Sequence, residues 1–473
     1  KVFYSIVALA VGALVARNNP GTPKFDHLPE AIQPYRPIWF VATEWFITQA
    51  KHITGVGNAF PSLLAGDLLS VAKRSTGLED LEDIDGSFVQ GLEKLGDALE
   101  NEANLTSIGR VLAWVQMKVV IENRLNIVEY AKQNPKVLAE EIIAPVFIAG
   151  LPRSGTTFLH NLLRQDNDYF RVTTMWEIQD PVPPTDPHLG DSHHSRYWRI
   201  LWMKLQIYFF KLIAPTVAAV HNVDALNAEE CMAIMGRGGR SLVFNTIYKI
   251  PSYQDWLMKQ NQLSPMLFHK RYLQTLQYGE RTRGKSRKTW LLKAPWHMYN
   301  LEAIWKVYPD ARILMPHRDP AGMIASLSSL HARFYSIVTN DIRPMEIGAY
   351  QSSQWQQILD RLLKTRRDHP ERSKKIVDIA FQDLIKDPLR TVRNVYKVFG
   401  IDLTPETMKG MKSYLNGTAG DGLGKKGKHG KHEYKLEWFG LEESTLVDNP
   451  TFTSYCKEYN VPQKYMHSSE YST

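Results

Sequence analysis

Cysteine is nearly absent. Only Cys231 and Cys456 occur among 473 residues, so a disulfide-stapled scaffold is excluded. No Cys/His cluster has zinc-ligand spacing, so no metal site is expected. A glycine period and a sustained heptad are also missing, which excludes collagen and coiled coil. A long apolar run is missing too. Val2 to Ala16 carries no charge and stops at Arg17, short of the roughly 20 residues that span a bilayer. With Asn18-Asn19-Pro20-Gly21 following like a stalk, residues 1–20 are expected to be a truncated membrane anchor or signal segment. A buried helix is the alternative. Asn104-Leu105-Thr106 and Asn416-Gly417-Thr418 are glycosylation sequons, which permit a secretory or membrane-associated location; nothing in the composition opposes a cytoplasmic one.

What is present is an ordinary globular composition, 44% hydrophobic and 22% charged, so disorder is excluded as the main state. A formal charge of +8 suits an anionic ligand, a membrane surface or a nucleic acid. Nucleic acid is the poorest fit, because the 12 Trp and 21 Tyr are scattered through apolar patterns and not interleaved in a basic stripe.

Residues 21–143 are expected to form a helical region. Leu64, Leu68, Leu69 and Ala72 recur at helical spacing, as do Val89, Leu92, Leu95 and Leu99, and Asp85-Gly86 breaks the run between them. From residue 144 to 473 the pattern changes to alternating strands and helices. Pro145 to Gly150, Thr289 to Lys293, Ala311 to Pro316 and Lys375 to Ala380 are the strand candidates. Such alternation implies an α/β fold, a parallel sheet flanked by helices. An apolar helical insert is expected at about 190–220.

Gly150-Leu-Pro-Arg-Ser-Gly155-Thr156-Thr157 has the glycine spacing of a P-loop, but Thr156 stands where that loop needs Lys. Arg153 inside the loop supplies the charge instead. A strand, a glycine loop and a helix N-terminus still make a nest of N–H groups suited to an anion. A phosphate-like anion is therefore expected here, and not a magnesium triphosphate. Ala311 to Pro320 predicts a second strand–turn–helix, with Asp319 as N-cap and Pro320 at the first helical position. Arg318 then stands at the carboxyl end of the strand, where open α/β sheets bind ligands.

These motifs resemble those of sulfotransferases that use 3′-phosphoadenosine 5′-phosphosulfate (PAPS), above all the bacterial-type and tyrosylprotein groups. Pro152 to Thr157 is similar to their 5′-phosphosulfate loop. The resemblance implies that Arg153, Ser154, Gly155, Thr156 and Thr157 bind the phosphosulfate, and that Arg318 and Ser326, eight residues apart, bind the 3′-phosphate. Trp290-Leu-Leu-Lys293-Ala-Pro295 and Tyr308 to Arg312 match the same family, and Arg124-Leu125 extends the likeness into the helical region. The fold implied is a P-loop-like sheet, the cofactor PAPS and the reaction sulfuryl transfer without a metal.

That reaction needs a base for the acceptor hydroxyl and a cation for the leaving oxygen. Lys293 is the expected cation. Glu177, placed about where the tyrosylprotein enzymes carry a catalytic Glu, is the expected base; a structural pair with Arg171 is the bland alternative. His221, with Glu229 or Glu230 to orient it, and His297 are the other candidates. The Gly/Lys-rich stretch containing Lys428 and Lys431 is expected to close over the cofactor, or else to be a solvated loop. The acceptor is expected to be a small apolar alcohol, lipid- or sterol-like. Tyr197, Trp198, Leu201, Trp202, Leu205, Tyr208, Phe209 and Leu212 recur at three- and four-residue intervals, as a greasy wall or as a core-packed helix. A carbohydrate or protein tyrosine is the alternative acceptor. From other classes, a nucleotide-binding P-loop protein fails on Lys at 156, and an inactive binding protein sits poorly with Arg153, Lys293, Arg318 and Ser326 all present.

Overall fold

The computed structural model describes residues 25–54, 61–184, 192–220, 223–282, 284, 286–417 and 434–462. Its centre is a five-stranded parallel sheet of β1 (Val146–Ile148), β2 (Phe170–Arg171), β3 (Thr289–Lys293), β4 (Arg312–His317) and β5 (Ile376–Ala380). The strand order is β2-β3-β1-β4-β5. β1 is therefore central, with Ile148 level with Lys293 on one side and Leu314 on the other.

Burial on both faces explains the continuous apolar runs. Val146 and Ile148 point into one hydrophobic layer with Leu159, Leu163 and Val395. Phe147, between them, points into the other with Tyr272, Trp290 and Tyr308. All three β1 side chains are fully buried, so Phe147→Ala would cost about 3–5 kcal/mol.

Four of the strands lie where the apolar runs placed them. β2 escaped notice because it is two residues long, too short to show a period. The helical N-terminal region forms the helices Ile38–Thr54, Ala65–Thr76, Ser87–Asn101 and Ser107–Gln133. Gly86 does break the run: it takes φ 67° ahead of Ser87–Asn101, and the Asp83 carboxylate accepts from the Phe88 and Val89 amides there. Apolar residues of the last three helices belong to the same cluster as Phe147, so this region shares the sheet's core. Arg124 locks it in place. Its guanidinium lies over the rings of Phe88 and Phe268 and donates to the carbonyls of Leu81 and Glu82.

The apolar insert forms the helices Ser192–Ile213 and Pro215–Val220. No described helix is long and apolar enough to cross a membrane. The run Val2 to Ala16 lies outside the described residues.

Candidate active site

β1 ends in the glycine loop, and the helix Thr156–Leu163 starts directly after it. Gly150 has no room for a side chain: a Cβ there would stand 2.6 Å from the Pro316 carbonyl oxygen of β4. Gly155 takes φ 82° at the helix N-cap, and a Cβ there would press on Leu384 at 3.0 Å. Arg153 adopts φ 64°, a left-handed conformation that is costly for a residue with a side chain. The strained turn leaves Arg153 and Thr157 exposed while Ser154 is buried, its hydroxyl donating to Leu151 O at 2.6 Å. The amides at this N-terminus and the Arg153 charge make an anion cradle.

Arg318 follows the last residue of β4, beside the same loop. Its Nη1 donates to the Arg153 carbonyl at 2.6 Å, and its guanidinium lies 4.9 Å from the Phe381 ring centroid. Asp319 caps the next helix by accepting from the Ala321 amide, as its sequence predicts. Ser326 lies about two turns further along that helix and is buried. The glycine loop and the turn after β4 thus meet at the carboxyl edge of the sheet, joined by the hydrogen bond from Arg318 to the Arg153 carbonyl.

Lys293 closes the arrangement from the other neighbour of β1. It ends β3, level with Ile148, and is 3% exposed. Its Nζ reaches Thr157 Oγ1 at 3.2 Å and Glu230 Oε1 at 2.5 Å. Glu230 Oε2 is buried and has no hydrogen-bond partner. A cation, a loop hydroxyl and one oxygen of a carboxylate whose other oxygen has no partner therefore meet above the sheet.

Glu177 is placed differently. It is the third residue of the helix Met175–Gln179 and completes a capping box with Thr174. Its Oε2 accepts from the Thr174 amide at 3.0 Å, the Thr174 hydroxyl at 2.7 Å and Arg171 Nη1 at 3.1 Å. Oε1 is held by Arg171 Nη2, and Arg171 also binds Glu280 at 2.9 Å. Burial would raise the Glu177 carboxyl, but the Arg171 guanidinium outweighs it and holds the group below the usual carboxylate range. The bland alternative, a pair with Arg171, is what the geometry displays. The same network supports Glu230: Glu229 N donates to Thr173 O at 2.9 Å, and Thr174 bridges Ala228, so the segment ending at Glu230 hangs on the Glu177 cap.

His297 is turned into the core, with no exposed surface, its ring edge-on to Phe147 at 5.0 Å. A base must touch the acceptor, and this ring is sealed beneath β1. His221, Lys428 and Lys431 lie outside the described residues. Among the described residues no group of His, Cys, Asp and Glu could hold a metal ion. Glu230 was visible in the sequence only as a partner for His221. Its one local signal is the acidic pair Glu229-Glu230 before a short apolar helix, which does not distinguish it from other surface acids.

Residues 145–405 match the model of the sulfotransferase family, more than half of the 473 residues. The chain belongs to the sulfotransferase family. The match starts one residue before β1 and takes in all five described strands, the glycine loop, the turn at Arg318 and Lys293. Two relatives, the ω-hydroxy-β-dihydromenaquinone-9 sulfotransferases Stf3 of Mycobacterium bovis and Mycobacterium tuberculosis, are each 23% identical over 278 residues. That is 56% of this chain and 65% of each relative, so the chain spans just under two thirds of their length. Among solved structures, sulfotransferase STF1 of Mycobacterium tuberculosis superposes with a TM-score of 0.69 at 26% identity, covering 83% of this chain and 99% of STF1. Sulfotransferase STF9 of Mycobacterium avium gives 0.70 at 26% identity, covering 85% and 98%. The parallel sheet with its glycine loop is thus the P-loop-like fold of these enzymes.

Proposed function

We propose that the protein moves a sulfuryl group from PAPS to the hydroxyl of a small apolar acceptor, with Glu230 as the base and Lys293 as the cation. The observation that carries this reading is the contact of Lys293 Nζ with both Thr157 of the glycine loop and Glu230. The donor set fits the cofactor: a helix N-terminus with Arg153 suits its phosphosulfate, and Arg318, one hydrogen bond away, suits a second phosphate. PAPS supplies a sulfuryl group bonded to a phosphate oxygen. Glu230 takes the acceptor proton as the new sulfur–oxygen bond forms. Lys293 holds the negative charge left on the phosphate oxygen as the old bond breaks. Arg153 and the loop amides orient the phosphosulfate. By analogy with phosphoryl transfer, positioning and electrostatics carry most of the rate, so activity should persist in excess chelator.

The Stf3 relatives are named for a menaquinone-derived acceptor, which supports an apolar alcohol here. Labelled PAPS should therefore be offered to isoprenoid and fatty alcohols, sterols, phenols and glycans. Transfer confined to glycans would reject the apolar acceptor. Glu230→Gln keeps the size of the side chain and removes its basicity, and should lower kcat by about 10²–10⁴-fold with little change in cofactor affinity. If turnover survives that change but is abolished in a folded Glu177→Gln protein, the base is Glu177.

A further inference from the structure

The helix Ser192–Ile213 has two apolar faces, and only one is buried against the described residues. Met203 and Ile207 are buried against Trp176, Val223 and Ala225. Arg199 fastens the helix to the active-site wall, binding Asp180 at 2.8 Å and the Pro183 carbonyl at 2.7 Å. The opposite stripe holds Tyr197, Trp198, Trp202, Tyr208, Phe209 and three leucines, exposed from 39% for Leu201 to 62% for Trp202. At about 100° per residue, these eight side chains fall in one arc of about 140°. Single exposed apolar residues are ordinary on a protein surface; a continuous aromatic stripe about 20 Å long is not.

The charges on the helix point to what covers it. It contains no Asp or Glu. Arg196, Lys204 and Lys211 are exposed, and by helical spacing the two lysines border one edge of the stripe. Trp and Tyr are the side chains that suit the boundary between headgroups and acyl chains. Lys204, in the middle of the helix, is wrong for a span and right for a helix lying flat, with its lysines reaching up to headgroups. We propose that this stripe docks the protein on the surface of an anionic lipid bilayer. A second copy of the chain is a poorer occupant, because it would bring basic edges together without an acid on either helix. The helix packs on Met175–Gln179, so docking brings the wall beside the catalytic groups to the lipid surface. Docking does not depend on sulfuryl transfer, and its test does not read turnover.

The full chain should float with vesicles of equimolar phosphatidylcholine and phosphatidylglycerol, and less as salt rises. Trp198→Ser with Trp202→Ser should cut the bound fraction at least about tenfold, because binding scales with buried apolar area. Lys204→Gln and Lys211→Gln should each weaken binding to the anionic vesicles about fivefold, and leave binding to pure phosphatidylcholine unchanged. Thermal melting should match the parent in every variant, since the substituted side chains are exposed. Three outcomes overturn the proposal: no flotation of the parent, flotation unaffected by the tryptophan changes, or a dimer abolished by Trp202→Ser in a protein that ignores vesicles.

Discussion

The proposed donor side and acceptor side of the site are built in opposite ways. On the donor side, each proposed phosphate-binding element is a strand, a turn and the start of a helix within a dozen consecutive residues, Val146–Thr157 and Arg312–Ala321. On the acceptor side, one carboxylate network draws Arg171, Glu177 and Glu280 together across 109 residues, and Lys293 meets Glu230 across 63. Local construction leaves a spacing signature in the chain. Non-local construction leaves none, and it places two carboxylates close in sequence terms to the same job while giving them different environments. Glu177 is buried and saturated by donors; Glu230, whose side chain is 23% exposed, keeps one buried oxygen without a partner.

The largest effect that separates the two sides comes from Lys293, which touches both. Lys293→Met should lower kcat by about 10²–10³-fold, the usual loss when one charge-stabilising donor is removed. Acceptor acidity then distinguishes the partners. p-Nitrophenol needs little help to lose its proton, so the Glu230→Gln defect should shrink with it, while the Lys293→Met defect should not. Equal shrinkage in both variants would assign Lys293 to the acceptor half of the reaction.

Glu177 gives the next largest effect, and in stability rather than rate. Among the described residues, Glu177→Gln leaves the buried Arg171 with Glu280 as its one carboxylate partner and weakens the cap at Thr174. Breaking a buried pair typically costs about 3–5 kcal/mol. Denaturant melts should show that loss, while the folded fraction keeps most of its kcat. An unchanged melting midpoint with a collapsed kcat would return Glu177 to the role of base.

What was legible follows from the same contrast. The strand candidates, the Asp319 cap, the glycine loop and the positions of Arg153, Lys293 and Arg318 are all properties of short segments. The proposed exchange of Glu177 for Glu230 as the base was not legible, because it rests on which acid has an oxygen without a partner, and that depends on hydrogen bonds from Arg171 and Thr174. Nor was the exposure of the stripe on Ser192–Ile213. A period shows that a helix has an apolar face, and here both faces are apolar, so only the packing of Met203 and Ile207 shows which one is covered.

A smaller effect belongs to the donor side alone. Arg318→Ala should weaken binding of 3′-phosphoadenosine 5′-phosphate about tenfold to hundredfold, the value of a charge-assisted contact. Adenosine 5′-phosphate, which lacks the 3′-group, should lose far less. Equal losses in calorimetry would mean that Arg318 holds the loop through the Arg153 carbonyl and does not read the 3′-phosphate.

The smallest effect is a slope, and it separates the two sides by pH. Burial pushes His160, His269 and His331 down to about 3, with Lys293 adding to the shift at His160. Unfolded histidine titrates near 6.5. Between these values the unfolded chain binds protons that the native chain refuses, so native stability rises with pH there. It is complete above about 6.5 and is lost as the pH falls, by at most about 1.4 kcal/mol per pH unit for each histidine. Glu177, held below its ordinary 4.5, contributes stability that is lost only below that value. The interval from 6.5 down to 4.5 therefore reports the histidines, and the interval below adds the carboxylates. His160 sits in the loop helix of the donor side, its Nε2 3.2 Å from the Leu291 carbonyl oxygen. His160→Gln retains a donor for that carbonyl and removes the titration. Melting temperatures across this interval should then fall less steeply with acid by one histidine's share, while Glu177→Gln leaves the slope above 4.5 as it was. An unaltered slope in His160→Gln would show that His160 takes up no proton on unfolding, and that its burial does not set its charge.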